Sequence, residues 1–517
     1  MVWRVGWVLV AGAVVGVAWF GWRALATDVR ITGLREGEAM TPTALTKRDI
    51  AVTVGGSRVA PTVSLNGHAL PVDGRPALTG GAVHVRLPTL VDGTYRLSVT
   101  TARKPFGHQT TTRRFEVDGT PPAIGFSSHV APVSLGRPVE LTGTVAAGDR
   151  LVVPGAQVQR AGDKVTLRFA RPPLGAVSIS ATDAAGNRAR TLVSVPVAYP
   201  RTNAVHVGPA DWADPTVKAG ILAMAASHRI NAVVLDLKDE QGVIGYDSKV
   251  PLARRIGAVR PVYDLPAAVA ELHAAKVRVI GRVAAFADPV LARAAWAAGN
   301  KDWVLQTPSG TRLDAYGGFT NYVRPEVRAY NIDIATEAAK LGVDDILWDY
   351  VQRPEGAPTT MVVPGLKGLS SAVIADFLRQ GQAALRPLGV YQGADVFGIA
   401  ATRPQSIAQD VPAMAQHVDY LAPMLYPERW GLSEYGVADP MAQPYDIVSR
   451  SLADFQKAVA PFGRPLAPWL EDYGGRVAYG PPQVQAQIKA ATDRHVANWM
   501  FWNPHGRYSV AGYPAGS

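Results

Sequence analysis

Carboxylate and aromatic side chains recur together in the second half of this sequence. Asp349 lies between two aromatic residues, and the adjacent pair Glu471 and Asp472 precedes a tyrosine. Cleavage of a glycosidic bond generally needs two carboxyl groups, and aromatic rings pack against the apolar faces of sugars. No basic or glycine-rich cradle for a phosphate stands out. The pattern therefore favours a carbohydrate cleft over a phosphate site.

The carboxyl groups differ in how strongly the pattern supports them. Asp349 ends a predicted strand, and its alternative role is a structural ion pair with Arg282 or Lys238. Successive strand residues point to opposite sides, so only one of Glu471 and Asp472 should face a cleft. A loop carboxylate that caps a backbone amide is the alternative for Asp472.

Other polar and aromatic residues cluster after the same predicted strands. Asp236, Lys238 and Glu240 share one strand face, which favours an inward ion-paired set over catalysis, with Asp239 beside it. His505 either contacts substrate or is structural. We predict no metal and no cofactor. The predicted substrate-binding residues are Asp236, Asp239, Glu240, Arg282, Trp348, Tyr350, Tyr426, Trp430, Tyr473, Trp502 and His505.

These residues must be positioned by strands that alternate with alanine-rich amphipathic helices. Such βα repetition over residues 201–517 predicts a (β/α)8 TIM barrel, whose working face lies at the carboxyl ends of its strands. A doubly wound open sheet is the alternative, but no glycine-rich turn follows the first strand. The predicted strands are 204–207, 231–237, 277–283, 345–350, 396–400, 418–424, 466–470 and 498–502.

The sequence before the barrel predicts two all-β modules, 28–118 and 119–200. Short alternating runs are separated by turn residues, for example at Asp92-Gly93. The segments 118–122 and 181–187 resemble bacterial immunoglobulin-like repeats, which implies two immunoglobulin-like sandwiches. A spacer role is favoured over ligand recognition.

An uncharged run, 5–22, lies between Arg4 and Arg23 within a predicted N-terminal segment, 1–27. As a helix it would rise about 27 Å, which predicts an N-terminal membrane helix. The alternative is a cleaved signal peptide that ends after Ala26. The chain is therefore expected to be membrane-anchored with an extracytoplasmic ectodomain, or secreted.

Composition excludes several classes of protein. The 517 residues include no cysteine, which excludes disulfides, thiolate zinc sites and a cysteine nucleophile. The first 200 residues carry 22 Lys and Arg against 12 Asp and Glu, whereas the remainder is balanced. These basic residues are scattered without interleaved aromatics, so we predict no nucleic-acid partner.

Several segments together resemble a known family: 231–242, 345–351, 424–427 with Trp430, 468–473 and 499–504. In this order they resemble the bacterial "putative glycosyl hydrolase domain" family of unknown function, over about 205–508. The resemblance implies a glycosidase-type TIM barrel with Asp349 as the nucleophile. Asp472 matches the family motif and is the first choice for the acid/base group, with Glu471 and Glu428 as alternatives.

The chain departs from the family pattern at Gln352-Arg353 and Glu428-Arg429. The predicted function is hydrolysis of an extracellular or cell-envelope polysaccharide by two carboxylates. The alternative is a non-catalytic glycan-binding or envelope scaffold protein with a glycosidase-like barrel.

Overall fold

A computed structural model describes residues 28–55, 59–75, 81–102, 107–127 and 130–516. The chain divides into two compact units, which are considered separately. The first comprises the described residues up to Val130, together with Glu140–Phe169 and Gly175–Ser194. The second comprises Ala131–Val139, Ala170–Leu174 and the described residues from Val195 onward.

The first unit is built mainly from antiparallel sheets. Alternate residues of its strands are buried, as in β3, where Ile50, Val52 and Val54 enter the core. One short helix, α1, spans Pro42–Thr46. The strands are β1 Val29–Thr32, β2 Glu38–Met40, β3 Ile50–Val54, β4 Thr62–Leu65, β5 His68–Ala69, β6 Val72–Asp73, β7 Ala82–Val85, β8 Gly93–Ala102, β9 His108–Val117, β10 Ile124–Phe126, β12 Val139–Val145, β13 Arg150–Val152, β14 Gln157–Ala161, β15 Lys164–Phe169, β16 Ala176–Thr182 and β17 Arg188–Ser194.

Four sheets make up this unit. Their strand orders are β1-β3-β7-β6, β2-β9-β8-β4-β5, β10-β12-β15-β14 and β13-β16-β17. The all-β character agrees with the sequence pattern. The immunoglobulin-like identity of these modules and their boundaries stay predictions.

The fold class predicted from the sequence needs one correction. An N-terminal membrane helix formed part of that prediction, and the structure gives it no support. Within the described ranges, no helix is both long and apolar enough to cross a membrane. The segment on which the prediction rested, 5–22, lies outside the described residues.

The second unit contains a closed barrel of parallel strands, which confirms the TIM-like barrel and rules out the open sheet. Each barrel strand pairs with its sequence neighbour, and the last strand pairs with the first. A short parallel pair, β11 Val133–Ser134 and β18 Val197–Ala198, also belongs to this unit. The barrel strands are β19 Asn203–Val207, β20 Ala232–Lys238, β21 Arg278–Ala284, β22 Asp345–Asp349, β23 Tyr391–Phe397, β24 Tyr420–Met424, β25 Trp469–Glu471 and β26 Trp499–Trp502.

Helices connect these strands. Several begin in the same way, with an aspartate N-cap and a proline in the first turn; Asp214, Asp264, Asp288 and Asp410 accept hydrogen bonds there from backbone N–H groups. The helices are α2 Pro209–Ala213, α3 Pro215–Ala226, α4 Pro251–Arg255, α5 Leu265–Ala274, α6 Pro289–Ala297, α7 Pro325–Lys340, α8 Ser370–Leu385, α9 Val411–Ala415, α10 Pro444–Val459 and α11 Pro481–Asp493.

Strand alternation separates the barrel interior from the layer beneath the helices. Ala204, Val234, Ile280 and Leu347 pack together inside the barrel, whereas their strand neighbours join the larger core against the helices. Gly393 makes room for the ring of Tyr420, because a Cβ at position 393 would lie 2.2 Å from that ring. The interior is therefore a packed core below its open end.

One irregularity changes the face on which a charged residue lies. The register between β20 and β21 shifts between Asp236 and Lys238. Lys238 consequently leaves the strand face of Asp236, and its ammonium donates to Asp288 and Asn331 at 2.8 and 2.7 Å. Of the residues expected to point inward and form ion pairs, Asp236 does so, whereas Lys238 points away from the barrel interior.

A polar cluster closes the amino-terminal end of the barrel. The hydroxyl of Tyr199 donates to the carboxylate of Asp345 at 2.8 Å, and the ring of Tyr199 stacks on Tyr420 at 4.1 Å. Arg278 lies 3.4 Å from the same carboxylate. Burial raises the pKa of Asp345 to about 7, although Arg278 and the Tyr199 hydroxyl oppose the shift.

This cluster predicts a pH dependence of stability. Between the ordinary pKa of 3.8 and the folded value of about 7, the folded barrel binds a proton at Asp345 that the unfolded chain releases. Asp345 alone should therefore contribute a fall of about 4 kcal/mol in the free energy of unfolding as the pH rises through this window. Asp345→Asn should lack this contribution, as measured by denaturant unfolding at several pH values.

Two tyrosine variants sharpen the test. Tyr199→Phe removes a hydrogen bond that lowers the pKa of Asp345, so the fall should extend to higher pH. Tyr391→Phe is the matched control, since among the described residues the Tyr391 hydroxyl hydrogen-bonds to backbone groups of Leu135 and Ala198 and not to Asp345. Equal pH dependence in the wild type and Asp345→Asn would contradict the assignment.

Candidate active site

Arg282 lies inside the carboxyl end of the barrel and contacts three carboxylates. Its Nε and Nη2 donate to Oδ2 of Asp349 at 2.9 and 2.6 Å. Its Nη1 donates to Oδ1 of Asp236 at 2.8 Å, and its Nη2 donates to Oε2 of Glu240 at 3.2 Å. Burial disfavours the guanidinium charge, but Asp236, Asp349 and Glu240 more than offset this and raise the pKa of Arg282 well above its ordinary value. Arg282 therefore stays charged and joins strands β20, β21 and β22.

Asp236 supports this arginine from below. Its second oxygen lies 3.0 Å from Nε2 of His206, whose ring stacks on Trp502 at 3.7 Å. Burial raises the pKa of Asp236, but Arg282 and His206 more than compensate and lower it to about 2. Asp236 is thus ionised, with one oxygen hydrogen-bonded to Arg282 and the other beside His206, and serves to orient Arg282.

Asp349 ends strand β22 and is 2% exposed. Its Oδ1 accepts a hydrogen bond from the backbone N–H of Tyr350 at 2.6 Å, while Oδ2 accepts from Arg282. Tyr350 has a φ of 51°, in the left-handed region that a bulky residue seldom adopts. Burial raises the pKa of Asp349, and Arg282 opposes this shift. The carboxylate is held in one orientation at the edge of a cleft.

The cleft above Asp349 has a volume of about 510 Å³. Its walls combine aromatic rings with charged groups, as sugar-binding clefts require, and Arg282 also lies 5.1 Å from the Trp502 ring. The lining residues are Glu240, Arg282, Tyr316, Asp349, Tyr350, Glu355, Phe397, Gly398, Ile399, Met424, Tyr426, Arg429, Trp430, Tyr473 and Trp502.

The three carboxyls considered for the second role have different surroundings. None of Asp472, Glu428 and Glu471 is itself among the residues that line the cleft. The Oδ2 of Asp472 accepts hydrogen bonds from the Ser509 N–H at 2.7 Å and the Tyr513 hydroxyl at 2.9 Å. These contacts hold a later segment of the chain against the end of strand β25. Glu428 is exposed and lies against Gly475, where an added Cβ would be only 2.9 Å from the Oε1 of Glu428.

Glu471 shares the inward strand face of Trp469 and is fully buried. Its Oε2 accepts a hydrogen bond from the Glu428 N–H at 2.9 Å, whereas Oε1 has no hydrogen-bond partner within the described part of the chain. Burial raises the pKa of Glu471 to about 7, and the Glu428 N–H opposes this shift. Arg429 and Tyr473, which interact electrostatically with Glu471, line the cleft.

Three other predicted binding residues lie away from the cleft lining. Trp348 packs outward, and its Nε1 donates to Gln392 at 2.9 Å. Asp239 accepts hydrogen bonds from backbone groups of its own turn, and burial raises its pKa to about 6. His505 is exposed after the last barrel strand. The residues that the structure does bring together are Asp349, Glu240, Arg282, Tyr350, Tyr426, Trp430, Tyr473 and Trp502.

Sequence reasoning missed His206 and Asp395. His206 shares the inward face of Ala204 on the first barrel strand, a signal that strand parity could have given. Asp395 lies on β23, but the predicted strand began one residue later. Its Oδ1 accepts a hydrogen bond from Nε1 of Trp469 at 2.6 Å.

The part of the chain that the structure describes contains no cluster of side chains suited to a metal ion. No group of three or more His, Asp or Glu side chains there is arranged to hold an ion.

Several solved structures match parts of this chain. They include a hypothetical protein from Ruminiclostridium thermocellum ATCC 27405, at 26% identity and a TM-score of 0.33, covering 37% of this chain and 97% of that chain. The glycoside hydrolase domain of PgaB (BpsB) from Bordetella bronchiseptica matches at 15% identity and a TM-score of 0.42, covering 59% and 95%. An endo-1,4-beta-D-mannanase from Thermotoga petrophila RKU-1 matches at 11% identity and a TM-score of 0.40, covering 59% and 88%.

These TM-scores are low, so the similarities carry no argument about substrate or catalytic residues. No curated protein sequence matches this chain. Residues 204–508, more than half of the chain, match the family described as "Putative glycosyl hydrolase domain". The chain therefore belongs to this family, and its barrel is a glycosyl hydrolase-like domain.

Proposed function

We propose that the barrel domain hydrolyses glycosidic bonds of an extracellular or cell-envelope polysaccharide. The observation that carries the proposal is Asp349, a buried carboxylate fixed by Arg282 at the edge of an aromatic-lined cleft. The location of the polymer follows from the sequence-based prediction of export, which concerns residues 1–27, outside the described part.

Asp349 is proposed as the nucleophile or the charge that stabilises an oxocarbenium-like transition state. The Tyr350 N–H and Arg282 fix the carboxylate before substrate arrives, so little reorganisation is needed during the reaction. Arg282 also helps to keep Asp349 ionised against the effect of burial.

The second carboxyl must give a proton to the leaving group and is proposed to be Glu471. The family motif favours Asp472, but two donors occupy the Oδ2 of Asp472 away from the cleft. Glu471 faces inward, has one oxygen without a hydrogen-bond partner among the described residues, and has a pKa of about 7. A carboxyl with that pKa is largely protonated below pH 7, as a general acid must be.

The aromatic walls are proposed to bind successive sugar rings. Tyr316, Tyr350, Tyr426, Trp430, Tyr473 and Trp502 line one continuous cleft. Ring stacking, hydrogen bonds donated by Arg429 and hydrogen bonds accepted by Glu355 would hold a polymer across Asp349.

A non-catalytic glycan-binding role has one observation in its favour. Both oxygens of Asp349 already accept hydrogen bonds, which suits a structural carboxylate as well as a reactive one. Binding without turnover, unchanged in Asp349→Asn, would support this second function.

Replacing Asp349 by Asn tests the proposed reaction. The variant keeps the shape of the side chain but removes the charge, so turnover should fall by about 10³-fold or more while substrate binding is largely kept. Hydrolysis of envelope polysaccharides by the purified protein is the measurement. Asp345→Asn is the matched control, because Asp345 lies at the other end of the same strand; its turnover should equal that of the wild type. Full activity of Asp349→Asn on a cleaved glycan would refute the site.

A comparison of Glu471→Gln with Asp472→Asn tests the second carboxyl. Glu471→Gln should slow the hydrolysis of substrates with poor leaving groups by about 10²-fold or more. It should barely affect the hydrolysis of substrates with good leaving groups, because these depart without a proton. The wild-type rate on poor leaving groups should also decline above pH 7, and Glu471→Gln should lose this decline. Asp472→Asn should lower thermal stability without dependence on the leaving group. A dependence on the leaving group in Asp472→Asn, with none in Glu471→Gln, would instead identify Asp472 as the general acid.

A further inference from the structure

Asp395 lies beside Asp349 inside the barrel, although the reaction proposed above does not use it. The register between β22 and β23 ends at the pair Trp348 and Ala394, so Asp349 and Asp395 are the next residues of the two strands. Leu347 lies inside the barrel, and Gly393 contacts the interior ring of Tyr420. By strand alternation, both carboxyls point to the same interior space.

The two carboxyls have different partners. Asp349 contacts Arg282, whereas no hydrogen bond or ion pair joins Asp395 to a cation within the described ranges. Oδ1 of Asp395 accepts a hydrogen bond from Trp469, and Oδ2 is buried without a hydrogen-bond partner among the described residues. Asp395 is 1% exposed. A carboxylate in such a place would be an uncompensated buried charge, which is costly.

The charges around Asp395 also disfavour its ionised form. One guanidinium already faces three carboxylates, and an ionised Asp395 would add a fourth negative charge. Burial, followed by the charge of Asp349, raises the pKa of Asp395 well above its ordinary value. The groups that interact with it come from five strands or their ends: Asp236, Arg282, Asp349, Tyr420, Tyr426 and Trp469.

We infer that Asp395 is a positioning residue that carries the proton of a carboxyl pair and so leaves the negative charge of the pair on Asp349, beside Arg282. The usefulness of that charge rests on the proposed function, whereas the position of the proton does not. In this arrangement Asp395 acts through Asp349 and need not touch the substrate.

Infrared difference spectroscopy of the full chain, titrated with pH, tests the position of the proton without any substrate. Asp395→Asn should remove one protonated-carboxyl band that the wild type shows at pH 7. In Asp349→Asn the same band should titrate about one pH unit lower or more, since the neighbouring charge that disfavours ionisation is gone. Trp469→Phe should move the midpoint upward, because a hydrogen bond that favours the ionised form is lost.

Asp345→Asn is the matched control, with the same substitution on an inward-facing buried carboxyl. It should remove a separate band that titrates near 7 and that Asp349→Asn does not shift. Unchanged protonated-carboxyl intensity in Asp395→Asn at pH 7, or an unmoved midpoint in Asp349→Asn, would overturn the inference. If Asp395→Asn does not fold, the Asp349 and Trp469 variants still decide it, because both retain Asp395.

A kinetic experiment tests the positioning role on a glycan that the wild type cleaves. Because Asp395 acts through Asp349, Asp395→Asn should shift the pH profile of turnover in the wild-type background but have little effect in the Asp349→Asn background, as shown by the double variant Asp349→Asn, Asp395→Asn. The same shift in both backgrounds would refute the positioning role. Failure to find any cleaved glycan would refute the proposed function but leave the infrared result valid.

Discussion

The open end of the barrel depends on one buried guanidinium. Arg282 on β21 lies among three carboxylates from the two flanking strands and their ends, and without it their mutual repulsion and desolvation would have no nearby compensation. Its planar fork donates in several directions at once, which a lysine ammonium at the same place could not reproduce. The positions of Asp236, Asp349 and Glu240 are therefore consequences of a single cation.

Strand β22 illustrates how environment, and not residue type, sets chemical character. Asp345 and Asp349 lie on the same face of this strand, four residues apart, and both are buried. Burial raises the pKa of both carboxyls, but the groups that oppose the shift differ: a hydroxyl at 2.8 Å and an arginine at 3.4 Å for Asp345, and a guanidinium and a backbone N–H at 2.6 Å for Asp349. The charge of Asp349 therefore has the stronger support.

Much of this arrangement could be predicted from the sequence, because hydrophobic alternation and strand spacing determine the barrel and the end at which polar residues gather. Asp349 and most of the aromatic lining came from that reasoning alone. The errors arose where local pattern is weak. The start of β23, Tyr391-Gln392-Gly393, is polar and contains a glycine that Tyr420 requires, so Asp395 fell outside the predicted strand. The bulge before Lys238 reversed an assignment based on parity, and contacts such as that of Asp472 with Tyr513 join residues too far apart in sequence for any local rule.

The left-handed backbone of Tyr350 has a consequence for protein engineering. A glycine at position 350 would relieve conformational strain, so a search for thermal stability would tend to select it. That exchange would also remove an aromatic ring from the cleft and loosen the peptide N–H that binds Asp349. Stability and activity therefore make opposing demands on this one residue, and directed evolution under heat alone would be expected to erode the site.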